Sequence, residues 1–181
     1  SAIKLASESQ GFPEEARFKW NSEVMWAIES YLREKEPEKA KALRDAISKR
    51  WIEPGAFFAN ELTELCSSEE LIQLTSDARR IAAECGIELR SAMITDIPGW
   101  SWGIVPVLAQ SGVKYLSLGT NIGHRIGGTI KEWGDRPFYW VSPSGEEKIL
   151  VWIHEKAYSL FHTGLKYDEL KYRLDEGKVF G

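Results

Sequence analysis

Strand-like and helix-like segments alternate along most of this chain, and that alternation is the strongest constraint on its fold. The clearest helix lies between Ser67 and Gly86. Ser67-x-x-Glu70 is a capping box, and Leu71, Leu74, Ala78, Ile81, Ala82 and Cys85 recur at helical spacing before Gly86 supplies the stop. Upstream, residues 17–20 read as a short strand, with Asn21 or Ser22 placed to cap a helix whose Val24, Ile28, Tyr31 and Leu32 share a face. Glu36-Pro37 breaks that helix, and Pro37 opens another with Ala40, Leu43 and Ile47 inward. Residues 51–58 form an apolar extended segment around Pro54-Gly55. Residues 89–95 and 113–118 are two further strands, joined by a helix from about Ile104 to Gly112 with Pro106 in its first turn. Residues 122–135 read as a Gly-rich loop. Two aromatic runs, 138–141 and 148–153, flank Ser142-Pro143-Ser144-Gly145-Glu146 and predict a β-hairpin, and residues 167–174 predict a terminal helix.

Such alternation implies an α/β fold of parallel strands with covering helices. About four units are present, too few for a closed (β/α) barrel, which typically takes ~250 residues. The expectation is a single domain over residues 1–181, forming either an open sheet or part of a larger barrel. Four parallel strands would leave edges unpaired and an inner face uncovered. That predicts a homo-oligomer, or a hairpin folded over the opening.

Composition narrows the function. The 181 residues carry a net charge of −4, without the basic face of a nucleic-acid binder. Apolar runs stay far short of the ~18 residues a membrane span needs. Cys66 and Cys85 bracket the capped helix, and at ~1.5 Å per residue they stand too far apart for a disulfide. The compartment is left open: a leader removed before Ser1 would fit a periplasmic or extracellular protein. The unusual quantity is aromatic, with eight Trp beside six Tyr and seven Phe. Indoles in such number suit stacking on the apolar faces of sugars.

In parallel α/β folds the ligand site lies at the C-terminal ends of the strands. Polar and aromatic residues gather at those points in Trp20-Asn21-Ser22-Glu23, Glu53-Pro54-Gly55, Thr95-Asp96 and Gly119-Thr120-Asn121. Asn and Ser there can serve simply as helix caps. Asp96 differs, because Ile97-Pro98-Gly99 postpones the next helix and leaves the carboxylate without a cap to make. Trp100 and Trp102 flank that turn as candidates for sugar stacking. His154, in a strand, is a further candidate for the mouth, while His124, His162 and Asp135 have nothing local to distinguish them. Gly123, Gly127 and Gly128 lack the Lys-Ser/Thr of a phosphate loop.

The Asp96-Ile97-Pro98-Gly99-Trp100 turn, with the helix and strand that follow to Asn121, resembles glycoside hydrolase family 38, the α-mannosidase-like enzymes. The segment from Arg17 to Trp26 and the hairpin with its Ser-Pro-Ser-Gly turn look like bacterial relatives of that group. The resemblance implies an irregular, seven-stranded type of β/α barrel, of which this chain would be an internal part. It also implies a retaining glycosidase acting on an α-mannoside or related carbohydrate, with a divalent metal, usually zinc. Carried across by position, Asp96 matches the aspartate that is both nucleophile and metal ligand. Trp20 and Glu23 match an aromatic–acid segment at a neighbouring strand end. Asn60 stands where the family tends to place an acidic substrate contact, and Trp100 where many members have histidine. Asn121 and His154 complete the expected substrate-binding set. The family's His-x-Asp is absent, and no histidine here matches its remaining metal ligands. Two other readings stand beside this one. One is a catalytically silent carbohydrate-binding domain. The other is a metal-dependent polysaccharide deacetylase, whose Asp/His/His triad the sequence does not supply.

Overall fold

The structure is a computed structural model that describes residues 1–97, 99–119 and 136–154. In chain order its elements are α1 (Ala2–Glu8), β1 (Trp20–Val24), α2 (Met25–Glu34), α3 (Pro37–Ser48), β2 (Ile52–Phe57), α4 (Ser68–Glu84), β3 (Ser91–Thr95), α5 (Ile104–Gln110), β4 (Tyr115–Gly119), β5 (Phe138–Val141) and β6 (Lys148–His154). Two short 3-10 turns, Ser9–Gly11 and Glu14–Ala16, join α1 to β1. Strands β1 and β2 pair in parallel, and a second sheet has the order β3-β4-β6-β5. In that sheet β3, β4 and β6 are parallel, while β5 runs antiparallel to β6 along its outer edge. One apolar core runs beneath both sheets. Ile52 and Phe57 of β2, Ile94 of β3 and Leu116 of β4 are buried there with Met25, Ile81 and Leu108 from the helices. Among the described residues no sheet closes on itself.

Register explains which face the helices cover. Ala92 and Ile94 stand opposite Leu116 and Leu118, and all four are buried. Side chains alternate across a sheet, so Met93, Ser117 and Trp152, aligned across β3, β4 and β6, form a row on the opposite face and are only half-buried.

Most elements fall where the sequence predicts them, with helix α1 unanticipated and two corrections. The first strand is Trp20–Val24 rather than residues 17–20. Its polar stretch reads as a cap in isolation, but Trp20 N–H bonds to Trp51 O at 3.2 Å and the register with β2 continues to Val24. Pairing between distant segments overrides the local preference. Ser22 is therefore a buried strand residue whose hydroxyl donates to Val24 O at 3.1 Å, and α2 starts at Met25 with no side-chain cap. The second correction concerns residues 148–153. They are a hairpin arm, as expected, but also the next parallel strand beside β4. The run Ile149-Leu150-Val151-Trp152-Ile153 is nearly continuous in apolar residues, which is the signature of a strand inside a parallel sheet.

The capping box forms in full. Ser67 N–H and Ser67 Oγ both donate to Glu70 Oε2, at 2.7 and 2.8 Å, and Glu70 N–H donates to Ser67 Oγ at 3.3 Å. The backbone hydrogen bond, followed by that of the Ser67 hydroxyl, holds the Glu70 carboxyl below its ordinary range. A depressed carboxylate pKa contributes stability that is present above the unfolded value and is lost as pH falls through the folded one. Ser67→Ala should lower stability by about 1 kcal/mol at neutral pH, with the gap to wild type narrowing in acid. Thermal melts at pH 7 and below pH 4 check this, and equal melting temperatures at pH 7 would discard the cap's contribution. Cys66 and Cys85 are free thiols, both pushed up in pKa mainly by burial.

Candidate active site

The C-terminal ends of the parallel strands are Val24, Phe57, Thr95, Gly119 and His154. Asp96 leaves β3 at this end. Its backbone is left-handed, with φ 59°, a conformation that Asp tolerates better than most residues. Its N–H donates to Gly119 O at 2.8 Å, so the ladder to β4 extends one residue past the strand. Glu23, one residue before the end of β1, reaches the same place. Its Oε1 accepts the Thr95 N–H, and the Thr95 hydroxyl lies 2.7 Å from Oε1 and 2.8 Å from Oε2. Glu23 and Asp96 thus share one end of the fold, connected through Thr95.

Two loops frame this end. Residues 58–67 leave β2 and residues 96–103 leave β3. They are tied together by Thr63, whose hydroxyl accepts from Ser101 N–H at 2.9 Å and donates to Gly99 O at 3.4 Å. Within these loops Asn60 Oδ1, Trp100 Nε1 and Ser101 Oγ are buried and have no hydrogen-bond partner among the described residues. Buried polar atoms are nearly always paired, and leaving one unmet is costly. The Trp100 ring itself is half-buried against the core. Trp102 is 60% exposed, donates its Nε1–H to Val141 O at 2.9 Å and lies tilted against Trp140 with centroids 6.4 Å apart.

The expected site residues do not all meet here. Glu23, Asn60, Asp96 and Trp100 belong to the C-terminal ends of the strands or the loops that leave them. Trp20 does not. It opens β1 opposite Ile52, the first residue of β2, and three residues of extended chain put it ~10 Å from Glu23. The misplacement follows from the corrected strand boundary. His154 ends β6 opposite Gly119, level with the exit of β3. Asn121, His124, Asp135, His162, the Gly-rich loop and the terminal helix lie outside the described residues. Among the described residues no three His, Cys, Asp or Glu side chains converge as metal ligands. Zinc usually takes three or four protein donors, so the described residues do not by themselves make a zinc site around Asp96. A cleft of about 710 Å³ opens at the other end of the strands, among Arg79, Leu89, Arg90 and Lys114, remote from Asp96.

The sequence places Thr95 and Gly55 at strand ends without assigning either a role, and it does not point to Thr63. Their roles depend on partners 72, roughly 30 and 36 residues away in the chain, for which local pattern carries no signal.

Parallel strands with covering helices define an α/β protein, and Asp96 stands at the C-terminal end of one of those strands. Residues 2–176 match the glycosyl hydrolases family 38 N-terminal domain, and the chain belongs to that family. No curated protein matches it at comparable significance. Among solved structures it is similar to an α-mannosidase from Enterococcus faecalis V583, with 16% identity, a TM-score of 0.71 and coverage of 97% of this chain and 19% of that one. It is also similar to a glycosyl hydrolase family 38 protein from Enterococcus faecalis, at 14% identity and TM-score 0.62, covering 99% of this chain and 19% of the other. A 4-alpha-glucanotransferase from Thermococcus litoralis shares 19% identity and a TM-score of 0.64 over 94% of this chain and 26% of its own. The chain therefore spans about a fifth to a quarter of the length of these structures. At such identities the likeness speaks for the fold. Membership of that family does not favour the deacetylase or the silent binding-module reading.

Proposed function

We propose that this chain is the nucleophile-bearing part of a retaining glycoside hydrolase that acts on an α-mannoside or a related carbohydrate, with Asp96 as the nucleophile. The observation that carries the reading is Asp96 itself. In a chain of this family it is a carboxylate at the C-terminal exit of a parallel strand, its backbone bonded to the neighbouring strand. In this mechanism an Asp96 oxygen attacks the anomeric carbon while the bond to the departing oxygen breaks, and a second carboxyl group protonates that oxygen. Water then attacks the same carbon from the opposite side, giving its proton to that second carboxylate and releasing Asp96 and a sugar of unchanged anomeric configuration. Asn60 and Trp100 lie in the loops that frame this end, and Trp102 presents an exposed ring for a sugar face. A divalent metal belongs to this reading only through Asp96, since no three ligating side chains converge among the described residues. We also read the strands as part of an irregular β/α barrel in one domain, with the row of Met93, Ser117 and Trp152 on its inner side.

The test is the stereochemistry of hydrolysis. The full-length protein should cleave an aryl α-mannoside and release α-mannose first, as followed by proton NMR before mutarotation. First release of the β anomer would overturn the retaining mechanism, and no cleavage of α-mannosides or related α-glycosides would overturn the proposal as a whole.

A further inference from the structure

Between β1 and β2 the register slips. Ser22 faces Pro54, but Val24 faces Phe57, so Gly55 and Ala56 together oppose Glu23. A bulge of this kind bends the strand and re-aims the side chain beside it. Gly55 makes the bulge sterically feasible: a Cβ there would lie 2.6 Å from Glu23 O and 3.3 Å from Ser22 O. From this point the Glu23 side chain crosses to β3, where both of its carboxylate oxygens are engaged by Thr95. Hydrogen bonds to an ionised carboxylate are shorter and stronger than neutral ones. Thr95 is the last residue of β3, and the next residue, Asp96, holds its left-handed φ while its N–H is fixed by Gly119 O. Such a backbone state persists only where the surroundings over-determine it. Here they act from two sides, β1 on Thr95 and β4 on Asp96.

We propose that Glu23 is a positioning residue: aimed by the bulge at Gly55, it clamps Thr95 and so holds Asp96 in the orientation needed to attack the sugar. This rests on Asp96 being the nucleophile. Sugar contacts elsewhere do not pass through the clamp, so its loss should act on kcat and leave KM nearly unchanged. A misplaced reacting group costs up to about 10²-fold in rate.

The experiment compares Glu23→Gln, Glu23→Ala, Thr95→Ser and Thr95→Val in the full-length protein, each with kcat, KM and a thermal melt. Thr95→Ser keeps both donors and should retain nearly full turnover. Thr95→Val loses only the hydroxyl, Glu23→Gln loses the charge and exchanges one accepting oxygen for an NH2 group, and each should fall in kcat by about 10-fold. Glu23→Ala should fall by about 10²-fold, with KM within about twofold of wild type. Two results would overturn the clamp. One is a raised KM with unchanged kcat in the Glu23 variants, which marks a substrate contact. The other is a lowered melting temperature with unchanged kcat, which marks a purely structural bond. Asp96→Asn, measured alongside, separates the two ideas. An inactive Asp96→Asn with a normal Glu23→Ala rejects the clamp alone, whereas a fully active Asp96→Asn rejects the nucleophile and the clamp with it. The Gln, Ser and Val variants are close in size to the native side chains, so the comparison survives if Glu23→Ala fails to fold.

Discussion

Asp96→Asn in the full-length protein should lose at least about 10³-fold in kcat while unfolding at nearly the wild-type temperature. The two halves of this expectation have separate physical causes. Asn has the shape of Asp, and it adopts the left-handed backbone at least as readily. The φ of 59° at this position and the N–H bond to Gly119 O therefore survive the change. What disappears is the carboxylate oxygen that forms the ester to the anomeric carbon, and an amide cannot replace it. Asp96→Ala is a weaker test, because Ala meets a steric cost at positive φ and would confuse chemistry with folding. Steady-state kinetics on an aryl α-mannoside, paired with a melting curve, reads both halves at once. Turnover within a few-fold of wild type from a folded Asp96→Asn protein would require a different nucleophile.

How much of this was legible in the sequence depends on how local each cause is. Helix α4 is written in full between Ser67 and Cys85, because its cap, its apolar stripe and its stop all lie within its own residues. The place of Asp96 at a strand exit was legible for a similar reason: Ile97-Pro98-Gly99 postpones the next helix and leaves the carboxylate without an obvious cap to make, while its role as nucleophile is the proposal made above. The family, too, is carried by short local motifs, and the match over residues 2–176 agrees with them. Strand β1 was misplaced because Asn21, Ser22 and Glu23 have weak strand preference, and only pairing with β2, some thirty residues later, makes them extended. Trp20 was carried to the wrong end of the fold by that same error. The bond between Glu23 and Thr95 spans 72 residues and has no local trace. Nor can residue spacing show that Asn60 Oδ1, Trp100 Nε1 and Ser101 Oγ are buried without partners among the described residues, since burial arises only when the two loops meet at Thr63.

The site therefore depends on parts of the fold that hold no candidate catalytic group, and Gly55 shows this most sharply. Gly55→Ala should destabilise the protein by about 3 kcal/mol, the upper part of the usual range for overpacking. The added methyl would meet Glu23 O at 2.6 Å, which is backbone and cannot rotate aside as a side chain would. Strand β1 must then move away from β2 at the residue whose carboxylate reaches Thr95. Gly55 has no positive φ to protect, so the cost comes from close approach and not from backbone freedom. A plain core defect offers a contrast. Phe57→Ala, two residues along the same strand, removes a fully buried ring at a cost of about 3–5 kcal/mol, yet opens space rather than displacing β1. At a temperature where both variants remain folded, Gly55→Ala should lose turnover to the extent that Glu23→Ala does, while Phe57→Ala should retain more. Denaturant unfolding gives the first quantity and kcat of the folded protein the second. A Gly55→Ala protein as stable as wild type would mean that β1 and β2 are not in the close contact described, and the aim of Glu23 would then need another cause.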